Sequence, residues 1–264
     1  MKKIKVVICV LVFSVCFILF INIRQFVIMN DVLECFEKIY TVDEVVILKK
    51  NIRPIQNHID SEKYKISLKG TWAQGNSAIC IFEIQEKNGD VIIQNDIRST
   101  IKNKSLESNE DGKVILVGQE YQKIGNGNHI IGIKIINEDI AEKLGVEIKI
   151  KDEQFLFTIP ISISQKTKQV VCLKDEADYM YEKVYITPIA MYFTCSLDRE
   201  HMNTDLCLNF LDGKRKEIGK TDGYVSYEKA DRKIYLQFLG GVYDVGQLES
   251  ITVGNVKYKV TNNY

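Results

Sequence analysis

The stretch that decides the organisation of this chain is VVICVLVFSVCFILFI, residues Val6–Ile21. From Val6 to Ile23 there are 18 uncharged residues, and only Ser14 and Asn22 interrupt their apolar character. A helix of this length rises about 27 Å, close to the thickness of the hydrocarbon core of a bilayer. A buried helix of a soluble protein would show a polar face, and this stretch shows none. The sequence therefore predicts a transmembrane anchor.

A cleaved signal peptide is the competing interpretation, because a basic start and an apolar middle fit both kinds of segment. No small-x-small cleavage site follows the apolar run, whose next residues are Asn22–Phe26. A lipoprotein signal would need a small residue before Cys16, where Val15 stands. We therefore expect residues 1–24 to form a short cytoplasmic tip and an uncleaved anchor.

Basic residues set the expected orientation of the anchor. Lys2, Lys3 and Lys5 precede the run, whereas Arg24 alone lies close after it. The positive-inside rule then places the N-terminus in the cytoplasm and the remaining domains outside, in a single-pass protein of the cell membrane. The few residues before the run leave no room for a cytoplasmic partner-binding domain.

The charge balance excludes one class of partner. The chain has 35 basic and 35 acidic residues, and 32 basic residues remain without the three leading lysines. The predicted outer part is therefore close to neutral, which is too balanced for a protein that binds nucleic acid or another polyanion. Three prolines and 16 glycines also argue against long disordered linkers.

The seven cysteines do not form the pattern of a disulfide framework. Cys9 and Cys16 lie inside the apolar run, and the other five are scattered. Cys195 and Cys207 lie on consecutive predicted strands, but alternation buries Cys195 with Phe193. The same alternation turns Cys207 away from the apolar face of its strand. Free cysteines that behave as small apolar residues are therefore expected.

A helical stalk, residues 25–40, is predicted after the anchor, with a helix from Asn30 to Tyr40. Val42–Leu48 is apolar and rich in β-branched residues, and is predicted to be the first strand. Asn51–Asp60 contains Pro54 and is predicted to be irregular.

Short strands separated by turns dominate the rest of the chain. Strands are predicted over Tyr64–Leu68, Ala78–Ile84, Val91–Ile93, Val114–Val117, Ile130–Ile136, Val146–Ile150, Phe155–Ile163, Val170–Leu173, Val184–Leu197, Leu206–Leu211, Tyr224–Tyr227, Ile234–Leu239, Ile251–Val253 and Val256–Tyr258. Gly70–Ser77 and Asn88-Gly89 are predicted turns, Asn95–Gly112 a long loop and Asn137–Leu144 a short helix. The polar segment Ser164–Gln169 marks a domain boundary.

This density of short strands and turns indicates an all-β fold. The predicted architecture is an N-terminal transmembrane helix followed by two tandem β-sandwich domains, residues 41–164 and 165–264. Each domain is long enough to bury its own core.

Several segments resemble a bacterial family of single-pass membrane proteins of unknown function, which is similar to anti-sigma factors in its layout. In the second half they are KVYITPIAMYFTCSL (Lys183–Leu197), LCLNFLDGKRKEIG (Leu206–Gly219) and LESITVGNVKYKV (Leu248–Val260). In the first half they are YKISLKGTWAQGNSAICIFEI (Tyr64–Ile84) and FLFTIPIS (Phe155–Ser162). The resemblance covers roughly Thr41–Tyr264 and implies two immunoglobulin-like domains in tandem.

The short N-terminus departs from that family. Such proteins often carry a cytoplasmic segment that could hold a sigma factor, whereas only a handful of residues precede the apolar run here. The resemblance therefore implies an outer module of the same kind and does not support direct binding of a sigma factor.

No catalytic motif, metal cluster or cofactor loop stands out in the sequence. His58, His129 and His201 lie far apart in polar contexts and are expected to be solvated rather than metal ligands. GNGN (Gly125–Asn128) lies between strands, which favours a hairpin turn over a phosphate cradle. NEDG (Asn109–Gly112) offers too few oxygen ligands for calcium. We therefore predict no catalytic residue, no metal and no cofactor.

Trp72 is the one candidate contact residue. It is the only tryptophan and lies in the predicted turn KGTWAQGN (Lys69–Asn76), where an exposed indole would offer an interaction surface. The alternative is that its side chain covers the end of a sandwich.

The expected function is that of a non-enzymatic outer module that senses or contacts an envelope or membrane protein, with a link to envelope signalling of the anti-sigma type. The anchor, the β-rich domains and the missing catalytic motifs motivate this prediction. An accessory to a cell-envelope enzyme and an adhesive or structural surface protein are the alternatives.

Overall fold

The structure, a computed structural model, describes residues 2–89, 92–102, 115–125, 127–137, 143–161, 170–174, 183–196, 205–219, 224–229, 232–254 and 256–262. One N-terminal helix is followed by antiparallel strands in three sheets. The predicted all-β class with a leading apolar helix is therefore confirmed.

The leading helix, α1, spans Lys2–Glu37 without a break. Its segment Cys16–Glu37 is long and apolar enough to cross a membrane. The predicted stalk is thus a continuation of the same helix. Its last turns do not stand free, because Val32 and Phe36 are buried against the first sheet. The buried apolar side chains of these turns form an interface with that sheet.

A second helix, α2, spans Val42–Leu48, where a strand was expected. The expectation is wrong because a capping box closes the N-terminus of α2: Glu44 N donates to Thr41 Oγ1, and Thr41 N donates to the Glu44 carboxylate. Burial follows the helical period, with Val45 and Leu48 inward. Local capping therefore overrides the strand preference of the β-branched residues.

The first β-unit consists of the eight strands between α2 and residue 161. They are β1 (Ile52–Asp60), β2 (Tyr64–Gln74), β3 (Ser77–Glu86), β4 (Ile97–Lys102), β5 (Ile115–Gly125), β6 (Asn128–Asn137), β7 (Lys143–Ile150) and β8 (Glu153–Pro160). A five-stranded sheet has the order β1-β2-β3-β6-β5, and a three-stranded sheet has the order β4-β7-β8. Alternate residues of both sheets meet in one buried core, for example Phe82 and Phe157, whose ring centroids lie 5.1 Å apart. The unit is therefore a two-layer sandwich.

The second β-unit consists of the strands from residue 170 onwards. They are β9 (Val170–Lys174), β10 (Lys183–Ile186), β11 (Ala190–Ser196), β12 (Leu206–Phe210), β13 (Arg215–Ile218), β14 (Tyr224–Lys229), β15 (Arg232–Phe238), β16 (Leu248–Val253) and β17 (Val256–Asn262). They form one sheet with the order β13-β12-β16-β17-β9-β10-β11-β15-β14. Residues from both halves of this sheet, such as Phe193 and Ile251, share one core. β16 and β17 are joined by a tight hairpin at Gly254, across which Val253 pairs with Val256.

Several predicted boundaries are wrong in detail. Asn51–Asp60, expected to be irregular, contains the edge strand β1, and Pro54 is tolerated beside a bulge. The predicted turn Gly70–Ser77 is strand up to Gln74, so only Gly75 and Asn76 turn the chain. Part of the expected loop Asn95–Gly112 is β4. Many side chains of β1 and β4 are polar and face solvent, so the sequence pattern did not distinguish these strands from loops.

Other predicted elements are absent or lie partly outside the described residues. Ile92 and Ile93, expected in a strand, lie outside any strand. Residues 138–142 of the expected helix Asn137–Leu144 lie outside the described residues, and its ends belong to β6 and β7. The expected domain boundary Ser164–Gln169 also lies outside them.

Candidate functional site

One apolar cluster joins the leading helix to both β-units, and we call it the junction cluster. It lies on the outer face of the five-stranded sheet, the face turned away from the three-stranded sheet. Its buried members are Val32, Cys35, Phe36, Tyr40, Val45, Leu48, Ile52, Trp72, Ile79, Ile81, Ile130, Ile136, Ile189, Ala190, Leu236, Phe238 and Val242. Full burial of a large apolar side chain stabilises a structure by about 1.5–3 kcal/mol. Apolar contacts are therefore the main force that holds the three parts together.

Trp72 lies inside the junction cluster and is fully buried. Its strand continues through the expected turn, so that Trp72 pairs with Ile79 on one side and Ile52 on the other. The prediction of an exposed interaction surface at Trp72 is wrong, because α1 and α2 cover the face of the sheet from which it projects. Trp72 is a contact residue between parts of one chain.

Two glycines allow α1 and the residues after it to lie close to the sheet. A Cβ atom at Gly70 would lie 2.6 Å from Val32 Cγ1, and one at Gly132 would lie 3.2 Å from Ile39 Cγ2. Both distances are shorter than ordinary van der Waals contact, so a larger residue at Gly70 would push α1 away. The helical path also continues past Glu37, because the backbone N–H of Tyr40 donates to the carbonyl of Phe36.

An ion-pair cluster flanks this helix contact. Lys69 Nζ lies 2.7 Å from Asp31 Oδ2 on α1 and 3.5 Å from Glu83 Oε2 on β3. Burial opposes the charge of Lys69, but the two carboxylates prevail and raise its pKa above the usual value. Lys69 therefore stays charged at neutral pH and ties α1 to the sheet.

Glu44 connects α2 to the second β-unit. Its Oε2 atom accepts from Thr41 N within the capping box, and its Oε1 atom accepts from the backbone N–H of Val242 at 2.9 Å. One carboxylate therefore both starts α2 and holds the loop after β15. A hydrogen bond to a charged group contributes more than a neutral one, so this contact also fixes the position of the loop.

Polar contacts complete the attachment of the second β-unit. Ser77 Oγ and Thr187 Oγ1 lie 2.8 Å apart in a buried position between the units. Phe238 packs on Gly118, where a Cβ would lie 3.0 Å from its ring, and Lys134 Nζ lies 5.4 Å from the centroid of that ring. Lys134 also pairs with Glu120. These polar contacts are directional, so they fix the orientation of the two units relative to each other more closely than apolar packing alone.

Two buried polar atoms of the junction cluster have no hydrogen-bond partner among the described residues. They are the hydroxyl of Tyr40 and Nε1 of Trp72. Burial, with the charges of Glu120 and Glu44 nearby, raises the pKa of Tyr40 well above its usual value. An unsatisfied buried polar group destabilises a structure by about 1–3 kcal/mol. The junction is therefore less well satisfied than an ideal core.

His129 lies in a buried hydrogen-bonded chain at one end of the first β-unit. Its Nε2 atom lies 2.8 Å from Glu86 Oε1, and its Nδ1 atom lies 2.6 Å from the hydroxyl of Tyr121. The expectation of a solvated loop histidine is wrong here, because His129 occupies an inward position of β6 opposite Ile84. Burial and the charges of Glu86 and Asp96 raise the pKa of Tyr121. The hydrogen-bonded chain Glu86–His129–Tyr121 joins β3, β6 and β5 as a structural element.

The remaining candidate residues have other surroundings. His58 is exposed on β1, beside Asp60 at 3.5 Å. His201 and the segment Asn109–Gly112 lie outside the described residues. Gly125 and Gly127 flank the tip of the β5–β6 hairpin with positive φ, as a turn requires. Within the described residues no group of three or more His, Cys, Asp or Glu side chains could hold a metal.

Cys207 corrects one expectation about burial. It is a free cysteine and it is buried, although the alternation predicted an outward position. Arg215 on the neighbouring β13 explains the difference, because its Nε lies 2.9 Å from Cys207 Sγ and its side chain covers the thiol. The side chain of Cys195 lies outside the described residues.

Comparison with known proteins gives little beyond this geometry. No family model matches the chain, and no curated protein matches it. The chain is similar to a solved structure described as the crystal structure of the conserved domain protein from Bacillus anthracis. The identity is 11%, the match covers 77% of each chain and the TM-score is 0.43.

The residues of the candidate site were partly predictable from the sequence. Thr41 and Glu44 have the spacing of a capping box, which is a local signal for a helix start. His129 continues the alternation of Ile131 and Ile133, which is a signal for burial. No local pattern could bring Phe238 to Gly118, because that contact joins strands far apart in the chain.

Proposed function

We propose that this protein is a membrane-anchored, extracytoplasmic module that senses or contacts an envelope or membrane protein and relays that contact to its own transmembrane helix. The proposal includes the expected orientation, with the N-terminus in the cytoplasm and both β-units outside. The resemblance to the family similar to anti-sigma factors, with its immunoglobulin-like domains, stays a prediction and supports a role in envelope signalling.

The observation that carries the proposal is the junction cluster. A single helix runs from the apolar segment into a cluster that also contains Phe238 and Val242 of the second β-unit. A free stalk would decouple the outer part from the helix. Here a partner that moves the second β-unit would also act on Tyr40, Phe36 and Val32 through the packing of the junction cluster.

Two arrangements of the junction would be enough for such a relay. The hydroxyl of Tyr40 and Nε1 of Trp72, which lack a hydrogen-bond partner among the described residues, destabilise the arrangement described here, and a second arrangement that satisfies them would recover that free energy. A bound partner would shift the population only by its difference in affinity for the two arrangements.

The orientation and the partner are tested together in intact cells. A proximity-labelling enzyme is fused to the C-terminus, and external protease is added in a parallel experiment. We expect the protease to remove both β-units and the label to appear repeatedly on one envelope or membrane protein. Protection from external protease would overturn the orientation, and accessible β-units without a specific labelled protein would overturn the protein partner.

The relay is tested by fixing the junction. Ser77→Cys with Thr187→Cys places two thiols where two hydroxyl oxygens lie 2.8 Å apart, so that a disulfide would fix the units. We expect the oxidised double variant to label the same partner protein. We also expect it to lose the response to that partner, which is the transmission of the contact from the second β-unit to α1. Each single variant is the matched control. An unchanged response in the oxidised double variant would contradict the relay.

A further inference from the structure

The path of α1 across the five-stranded sheet fixes the direction of the strands relative to the helix. Ile28 lines a cavity whose wall is formed by β1 and β2, Val32 lies beside Gly70 of β2, and Ile39 lies beside Gly132 of β6. These contacts follow the spatial order of the strands, β1-β2-β3-β6. Each step along the helix therefore moves across the sheet to another strand.

The distances agree with a nearly perpendicular crossing. From Ile28 to Ile39 a helical path rises about 16 Å. From β1 to β6 there are three strand spacings, which amount to about 14 Å. The two lengths match, so the helix axis runs across the strands and not along them.

This crossing has a consequence if α1 spans the membrane, so the inference rests on the proposed function. Transmembrane helices tilt by about 20° from the bilayer normal on average. The strands of the five-stranded sheet then lie nearly parallel to the bilayer. β1 becomes the strand nearest to the bilayer and β5 the farthest.

The height of β1 places it at the headgroups. Ile28, which lines a cavity with β1, is four residues beyond Arg24, a rise of about 6 Å. The headgroup layer is about 5–8 Å thick on each side of the bilayer. Phe26 and Val27, between these two residues, are 66% and 59% exposed, as side chains at a lipid interface would be.

The chemistry of this region suits lipid phosphate. In the five-stranded sheet β1 pairs only with β2, so its other edge presents backbone N–H and C=O groups that lack a strand partner among the described residues. A cavity of about 150 Å³ lies between Ile28 and the β1–β2 face; its polar lining includes Lys65, His58, Ser67 and Asn57, and also Asp31, whose carboxylate pairs with Lys69. Backbone N–H groups and lysine are donors that phosphate oxygens accept.

We propose that the free edge of β1 and the cavity beside Ile28 bind phospholipid headgroups of the bilayer that α1 enters. The first β-unit would then rest on the membrane through β1 and would not extend away from it. The contact would hold the junction cluster at a fixed height above the bilayer.

The test uses the full chain in phosphatidylglycerol vesicles that contain a lipid with a spin label on its headgroup. Trp72 is fully buried, so the spin label should not quench its fluorescence. Any quenching then comes from a second tryptophan introduced at the site of interest. Gln56→Trp on β1 and Gln122→Trp on β5 are matched, because both replace an exposed glutamine on opposite edges of one sheet. We expect quenching of the β1 tryptophan to be several-fold stronger. Equal quenching at the two positions would overturn the inference.

Further variants separate this inference from the anchor itself. Phe26→Trp reports insertion of α1: quenching there without quenching at Gln56→Trp rejects the headgroup contact alone. Absence of quenching at Phe26→Trp rejects the anchor and with it the proposed function. His58→Trp, on an exposed site of β1, repeats the measurement if Gln56→Trp fails to fold.

The role of phosphate is tested by charge. Lys65→Glu in the Gln56→Trp background should weaken the quenching severalfold, because a carboxylate would repel phosphate. Lys123→Glu on β5 makes the same change of charge at the far edge and should leave the quenching unchanged. An equal effect of both variants would overturn specific binding of phosphate at β1.

Discussion

The core of the first β-unit and the junction cluster are both buried and apolar, yet they differ in which parts of the chain build them. In the core, aromatic rings pack edge to face, as Phe82 and Phe157 do. The junction contains the unsatisfied polar atoms of Tyr40 and Trp72. Residues of the core come from one sandwich, whereas the junction draws on α1, α2 and both β-units. The core thus defines the fold, and the junction defines how the parts are coupled.

The largest expected effect separates the two regions directly. Phe82→Ala in the core should lower the free energy of unfolding of the first β-unit by about 3–5 kcal/mol, because it removes a fully buried ring. Phe36→Ala in the junction removes a ring that is buried as completely, but α1 can move away from the sheet. We expect hydrogen exchange to rise in β7 for Phe82→Ala. For Phe36→Ala we expect it to rise in the last turns of α1, around Val32 and Phe36. Loss of protection in β7 for both variants would contradict this difference.

A second prediction concerns the close approach of α1. Gly70→Ala should destabilise the docking of α1 by about 1–3 kcal/mol, because the new Cβ would overlap Val32. Val32→Ala removes the overlapping methyl groups, so the double variant should be more stable than the sum of the single effects predicts. Chemical denaturation of the four proteins gives this coupling. Additive effects would show that α1 already adjusts without strain.

Glu44→Gln should have a smaller effect, about 1 kcal/mol, because an amide keeps one acceptor but loses the charge that strengthens the bonds to Thr41 and Val242. Hydrogen exchange at the amide of Val242 measures the loss at the contact itself. Asp43→Asn, on the exposed neighbouring residue, is the control and should leave this amide protected. Equal exchange in Glu44→Gln and the unmodified protein would mean that apolar packing alone holds the loop.

The smallest effect at neutral pH is expected for Tyr40→Phe. Removing an unsatisfied buried hydroxyl should leave stability unchanged or raise it by up to about 1 kcal/mol, whereas Tyr121→Phe loses the bond to His129 and should lower it by about 1 kcal/mol. Opposite signs in thermal denaturation would confirm the contrast between satisfied and unsatisfied sites. Destabilisation by Tyr40→Phe would reveal a partner of that hydroxyl.

The same variant gives a prediction about pH. The pKa of Tyr40 is raised well above 10 in the folded state, so above pH 10 the unfolded chain loses a proton that the folded chain keeps. Stability of the unmodified protein should therefore fall as the pH rises above 10. Tyr40→Phe removes this contribution, and the difference in unfolding free energy between the two proteins should grow with pH. A constant difference would mean that Tyr40 titrates normally.

Much of the fold was predictable because strand alternation is a local property. The inward residues of β8, Phe155, Phe157 and Ile159, follow a period of two in the sequence and in the structure. Val42–Leu48 was mispredicted because β-branched composition outweighed the capping box of Thr41 and Glu44. Local rules compete at such short segments, and packing decides between them.

The candidate site was much less predictable than the fold. Trp72 attracted attention as a lone tryptophan, but its surroundings are supplied by α1 and α2, which are far from it in sequence. Its strand also had to be extended past Gly70, and glycine is a weak strand former. Contacts of this kind depend on how finished elements pack against each other, which alternation and capping do not describe.

The position of α1 at the start of the chain also has a consequence for biosynthesis. Phe36 is made early, but Phe238, its companion in the junction cluster, follows 202 residues later. At the usual rate of translation, about 5–20 residues per second, this delay is about 10–40 s. During that time the apolar residues of α1 in the junction cluster lack the part of their packing that the second β-unit supplies. The nascent chain is then a natural client for a chaperone, and a pause in its synthesis would prolong that exposure.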